Sequence, residues 1–151
     1  MEFSVKIEGL EKLDMAARHV QQNVQAELKK ALYVSAQKVD AEAKKSIVSG
    51  QKSGRIYRRR SVLHQASAPG QAPASDTGRL VNSITSGLNP GKLESFVVAG
   101  RGLVKYARML EHGTIKMAAR PFMFPALEKS KAWIAERLQR AVRAAIAKGG
   151  Q

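Results

Sequence analysis

Between Leu10 and Ser49 the chain has neither glycine nor proline, and no other feature constrains its fold as strongly. Leu10, Leu13, Ala17, Val20, Val24, Leu28, Ala31, Ser35, Val39, Ala43 and Ile47 recur every three or four residues, so one face of a helix would be apolar or small. Gly50 supplies a stop. About 38 residues of helix span roughly 57 Å at 1.5 Å each. A single domain of 151 residues has a diameter of only roughly 40 Å. Either the helix bends, or part of its stripe packs on something outside the monomer. The second option predicts an oligomer.

Ahead of the helix, Phe3, Val5 and Ile7 alternate with Ser4, Lys6 and Glu8, the pattern of a short half-buried strand that Gly9 ends. Residues 51–75 carry Lys52, Arg55, Arg58, Arg59, Arg60 and His64, followed by Ala66-Ser67-Ala68-Pro69-Gly70-Gln71-Ala72-Pro73-Ala74-Ser75. Two prolines and no periodicity predict a long, mobile basic loop over 50–75. Ser75 or Asp76 then reads as the cap of a short helical turn. Residues 84–88 and 96–99 flank Asn89-Pro90-Gly91-Lys92 as a hairpin. A short helix over 105–111 stops at Gly113, and Pro121 or Pro125 opens a last one. Its apolar side holds Ala126, Ser130, Trp133, Ile134, Leu138, Ala141, Val142, Ala145 and Ile146, and Gly149-Gly150 closes it. The expectation is one α+β domain over residues 1–151. A small antiparallel sheet goes with a long N-terminal amphipathic helix and a C-terminal helix packed on it.

Composition enters through what it excludes. The chain has no cysteine, so disulfides, thiolate metal sites and a cysteine nucleophile are out. Aromatics are 5% of residues, leaving the core to aliphatic side chains. The first residues lack a basic-then-apolar signal, and no apolar run approaches the roughly twenty residues of a membrane span. A soluble chain without targeting segment or membrane contact is expected. A formal net charge of +14 favours a polyanionic neighbour, nucleic acid or an acidic protein surface.

No catalytic constellation emerges, and neither an enzyme nor a cofactor is expected. Asp76-Thr77-Gly78 matches the short aspartic-protease signature, but Pro73-Ala74-Ser75 replaces the apolar strand that would bury a carboxyl pair, and a helix cap explains it better. Gly87-Leu88-Asn89-Pro90-Gly91-Lys92 is one residue short of a phosphate-binding loop, and Leu93 stands where Ser or Thr would reach magnesium. His19, His64 and His112 are not at metal-ligand spacing. Arg55-Ile56-Tyr57-Arg58-Arg59-Arg60, with Lys52 and His64, mixes arginine with an aromatic, the means for phosphate contact and stacking. A solvated loop, or one docking on an acidic partner, explains the same residues equally well.

Read in order, several pieces resemble a known family. They are 3–10 with Leu13, the long helix, Ala68-Pro69-Gly70-Gln71-Ala72-Pro73 and Asp76-Thr77-Gly78-Arg79-Leu80-Val81-Asn82-Ser83-Ile84. Tyr106-Ala107-Arg108-Met109-Leu110-Glu111-His112-Gly113-Thr114 and Arg120-Pro121-Phe122-Met123-Phe124-Pro125-Ala126 complete the set. Together they resemble the tail-completion, or head–tail joining, proteins of siphophages, the gene-product-ten-like family of lambdoid phages. Val81 departs from the second basic residue expected there.

The resemblance implies a minor tail or neck protein of the virion, assembled in the bacterial cytoplasm as a ring of six copies. Its partners would be a connector or head-closure protein and a tail terminator or tail-tube protein, with double-stranded DNA passing non-specifically. Lys52, Arg55, Tyr57, Arg58, Arg59, Arg60 and His64 would face DNA or a docking partner. Tyr106, Arg108, Glu111, His112, Arg120, Phe122 and Phe124 would build subunit contacts, although Phe122 and Phe124 can hardly both point inward. A nucleic-acid-binding protein of ribosomal or nucleoid type is the alternative.

Overall fold

The computed structural model describes residues 10–89, 91–102 and 104–149. The strand expected at Phe3, Val5 and Ile7 lies outside them. In chain order the elements are α1 (Leu10–Ser49), β1 (Ile56–Arg59), β2 (Val62–Gln65), α2 (Arg79–Asn82), β3 (Thr85–Asn89), β4 (Glu94–Val98), α3 (Ala107–His112) and α4 (Met123–Gly149). The fold is α+β, as the sequence predicts. Its antiparallel strands form two separate hairpins, β1–β2 and β3–β4.

α1 is unbroken over its 40 residues. It ends where the sequence predicts, at Gly50, a position that only glycine fits, since a side chain there would collide with the carbonyl of Ser46. Only its second half is covered. Ala31, Ser35, Ala36, Val39, Ala43 and Ile47 are buried, whereas residues 11–19 are all exposed, Leu13 at 67%.

α4 packs antiparallel along the covered half. Lys129 pairs with Glu42 at 2.9 Å near one end, and Lys148 with Glu27 at 3.2 Å near the other. The contact is made by small residues, Ala126, Ser130 and Ala145 facing Ala31, Ser35 and Ala43, which lets the two helices approach closely. The buried hydroxyls are satisfied within their own helices, Ser35 Oγ donating to the Ala31 carbonyl and Ser130 Oγ to that of Ala126. Lys129, backed by Lys38, holds the Glu42 carboxyl down to about 2.

The β3–β4 hairpin crosses α1 beside α4, and Ser86 Oγ donates to Asp40 Oδ2 at 3.2 Å. Beneath it the core gathers Val39, Ala43 and Ile47 with Leu80, Ile84, Val104, Ala107, Phe122 and Ala126. Phe122, Ile47 and Ile84 are its largest fully buried side chains. Burial of each stabilises by about 1.5–3 kcal/mol.

Two local expectations are corrected. Residues 50–75 are not one irregular loop. Residues 56–65 pair in register, Ile56 with Gln65 and Arg59 with Val62, around the two-residue turn Arg60-Ser61. Arg60 takes the left-handed φ of 54° that the tight turn requires, without the glycine or asparagine that usually announces one. Residues 66–75 form a strap that Gln71 pins. Gln71 Oε1 accepts from the backbone N–H groups of Ser53 and Ala68, and its Nε2 donates to Ser53 Oγ. The second correction concerns the start of α2: its cap is Gly78, with φ 73° and no side-chain cap bond, not Ser75 or Asp76.

Candidate functional site

Strand alternation divides the basic segment into two faces. Tyr57 and Arg59, opposite His64 and Val62, turn toward the body; Ile56 and Arg58, opposite Gln65 and Leu63, turn away. On the inner face Tyr57 stacks on His64 with ring centroids 5.8 Å apart. The Asp76 carboxylate receives the Arg59 guanidinium and lies 3.5 Å from His64 Nε2. Asp76 therefore latches the hairpin to the body. Lys52 stays behind at the end of α1, its Nζ donating to the Val48 carbonyl at 3.2 Å.

Of the predicted DNA-facing residues, Arg55, Arg58 and Arg60 are exposed, and among the described residues no carboxylate pairs with them. Arg59 is committed to Asp76. Ile56 and Leu63 are also exposed, at 63% and 65%. The hairpin is thus a two-stranded arm with an apolar and cationic outer face, and such ribbons are marginal alone.

Between this arm and α3 lies an open cleft of about 430 Å³, into which Tyr57, Arg59, Asp76, Arg79, Tyr106 and Arg120 project. Tyr106, predicted for a subunit interface, thus joins the hairpin's inner face in one recess. Arg108 and His112 are exposed on α3.

Three other members of the predicted interface serve the fold within the chain. The Glu111 carboxylate accepts the N–H groups of Phe122, Met123 and Phe124 at 2.8, 3.0 and 2.8 Å. With Pro125 contributing no N–H, the start of α4 is satisfied by one side chain from another helix, where a negative charge also suits the helix dipole. Arg120 Nε donates to the Ser67 carbonyl at 3.3 Å, tying strap to α3–α4 connection. Phe122 is 1% exposed and belongs to the core. Phe124, two residues on, is 64% exposed, so the pair divides between inside and outside.

Phe124 stands at the rim of a second recess, which sequence reasoning missed. This apolar groove of about 410 Å³ lies between α1, β4 and α4 and is lined by Leu32, Ala36, Val97, Phe124, Leu127 and Ile134. Its signal is divided: Ser35 and Val39 of the lining belong to the α1 stripe, Leu32 and Ala36 lie beside it on the same helix, and the remaining six residues come from β4 and α4. The Glu111 cap also had a signal. Arg120-Pro121-Phe122 offers no Ser, Thr, Asp or Asn before α4, so its cap had to come from elsewhere.

Among the described residues no three His, Asp or Glu side chains gather to hold a metal ion, and no helix is long and apolar enough to cross a membrane. Compared with family models, curated proteins and solved structures, the chain finds no match.

Proposed function

We propose that this protein is a non-enzymatic structural subunit of a tailed-bacteriophage virion, forming an oligomeric ring at the head–tail interface through which DNA passes. One observation carries the reading: α1 continues past its last cross-link to α4, at Glu27, for some four turns, and residues 11–19 of that stretch are all exposed among the described residues. A helix that leaves its own fold with Leu13 exposed is suited to assembly. The motif order over Asp76–Ile84 and 106–126 supplies the phage context, with a connector or head-closure protein and a tail terminator or tail-tube protein as neighbours. Arg55, Arg58 and Arg60 would meet DNA or an acidic neighbour non-specifically, in a particle assembled in the host cytoplasm.

The test is light scattering of the protein alone and with its connector and tail partners. Oligomers of defined mass are expected; a strict monomer in every mixture overturns the proposal.

The exposed arginines beside Tyr57 favour a second reading, a nucleic-acid-binding protein of ribosomal or nucleoid type. That reading requires the isolated protein to bind DNA or RNA with an affinity that falls steeply as salt rises. No binding at low salt dismisses it.

A further inference from the structure

The cleft between the β1–β2 arm and α3 holds charge that the fold does not use. Arg59, Arg79 and Arg120 line it with a single carboxylate, Asp76. Asp76 is committed to the arm: its Oδ2 takes Arg59, and its Oδ1 lies 3.5 Å from His64 Nε2. Arg79 and Arg120 are left in excess, and among the described residues no carboxylate pairs with either. The surroundings do not offset them. Asp76 is the one acid between residues 43 and 93. The nearest acid on α3, Glu111, is held at the start of α4 by three backbone N–H groups. Lys105 and Arg108, close to Tyr106 in the chain, are exposed cations.

Arg120 is fixed in place. It is half-buried, and its Nε donates to the Ser67 carbonyl, leaving Nη1 and Nη2 without a partner among the described residues. A guanidinium pinned on one side presents a planar fork that fits two oxygens of one oxyanion. Arg79 supplies a second, exposed cation to the same cleft.

A bare phosphate would leave most of the space empty. The volume of about 430 Å³ lies in the roughly 300–1,000 Å³ range of small-ligand sites. Two rings line the rest: Tyr57, backed by His64, and Tyr106, at 40% and 43% exposure. A flat base can stack on such rings. An acidic side chain would satisfy the arginines and leave the tyrosines bare. Bases inside a duplex are stacked out of reach of a recess, so the matching ligand carries an unpaired base.

We propose that this cleft binds a nucleoside phosphate, with the phosphate on Arg79 and Arg120 and the base against the tyrosines. The site is complete within one chain, so it does not rest on the ring reading.

Amide NMR of the labelled full chain at low salt tests it, with adenosine monophosphate, adenosine and inorganic phosphate as probes. The monophosphate should shift signals around Ser67, Arg79 and Tyr106. It should also bind at least about tenfold tighter than either fragment, since a charge-assisted bond or a stacked base is each worth that much. Arg79→Gln and Tyr106→Leu, at exposed positions, should each weaken binding by about tenfold with circular dichroism unchanged. Lys92→Gln, in the turn of β3–β4, should not; an equal loss there means diffuse attraction to a basic chain and overturns the site. Inorganic phosphate as tight as the monophosphate overturns the base contact. A polyglutamate peptide that binds the cleft more tightly than the nucleotide overturns the ligand class in favour of an acidic protein. A single-stranded oligonucleotide that binds tighter than the monophosphate, and is weakened by the same two substitutions, assigns the ligand to a strand; equal affinity assigns a free nucleotide. No shift at the cleft overturns the proposal and leaves the ring reading untouched.

Discussion

The two halves of α1 share a residue pattern and differ in everything around it. From Ala31 to Ile47 the small and apolar positions are buried under α4 and β3–β4; over 11–26 the same spacing leaves Leu13 and Ala17 exposed and Val20 and Val24 half-buried. Periodicity specifies which side of a helix is apolar. It does not specify what covers that side. The covering here depends on α4, whose last cross-link reaches only to Glu27. The first half is helical with residues 11–19 exposed, at a length where isolated helices are marginal in water.

The largest effects belong to the covered half. Ile47→Ala opens a cavity at a position with no exposure, packed among Val39, Leu80 and Ile84, and should cost about 2–5 kcal/mol. Denaturant unfolding measures it; a loss no larger than that of an exposed substitution would mean the covered half is not the core. Next comes the cover itself. Glu111→Ala strips the acceptor from the N–H groups of Phe122, Met123 and Phe124, and should cost about 1–2 kcal/mol. Glu111→Gln should recover part of this, since an amide oxygen still accepts. Equal losses from both variants would show that the charge, not the acceptor, caps α4.

A smaller effect carries a pH signature. Lys129 first and Lys38 second lower the Glu42 carboxyl from 4.5 to about 2, so its contribution to stability is complete above about pH 4.5 and vanishes as pH falls toward 2. The thermal-unfolding difference between the parent and Glu42→Gln should be widest above pH 4.5 and close over that interval. A difference independent of pH would mean the Lys129 tie contributes nothing between the helices. Asp14 offers the contrast: it pairs with Arg18 in the exposed half, with side chains 59% and 73% exposed, where such pairs are worth little. Asp14→Asn should leave unfolding nearly unchanged.

The helices were legible because their signals are local. α1 runs between the expected limits, α3 ends at Gly113, and the β3–β4 hairpin falls around residues 89–92 as the Asn-Pro-Gly turn predicts. What was hidden depends on residues distant in sequence. The β1–β2 hairpin has a turn of Arg60-Ser61 that nothing in its composition marks, and a latch sixteen residues further on at Asp76. Asp76 read as a helix cap because aspartate before a helical turn usually is one; a cation from the hairpin claims its carboxylate instead. Glu111 and Phe122 are interface residues by the resemblance, and nothing local to α3 or to the proline-framed segment shows that the two meet. Once α3 lies beside the start of α4, Glu111 becomes a cap and Phe122 core. The candidate interface was half legible: Phe124 was singled out, but the groove it borders takes lining from three elements.

The smallest expected effect is also the most discriminating. Leu13→Ser exchanges an apolar side chain that is 67% exposed for a polar one of somewhat lower helix propensity. In dilute solution unfolding should shift by no more than about 0.5 kcal/mol, since the side chain is largely exposed. Concentration separates the two halves of α1. If the start of α1 lies in a contact between copies, the parent protein is stabilised by mass action and its melting temperature climbs with protein concentration. Leu13→Ser should flatten that climb while leaving the dilute value alone. Ile47→Ala should do the reverse, lowering the melting temperature at every concentration and keeping the slope wherever the protein still folds. A Leu13→Ser protein that loses stability when dilute would place Leu13 inside its own fold and erase the difference between the halves.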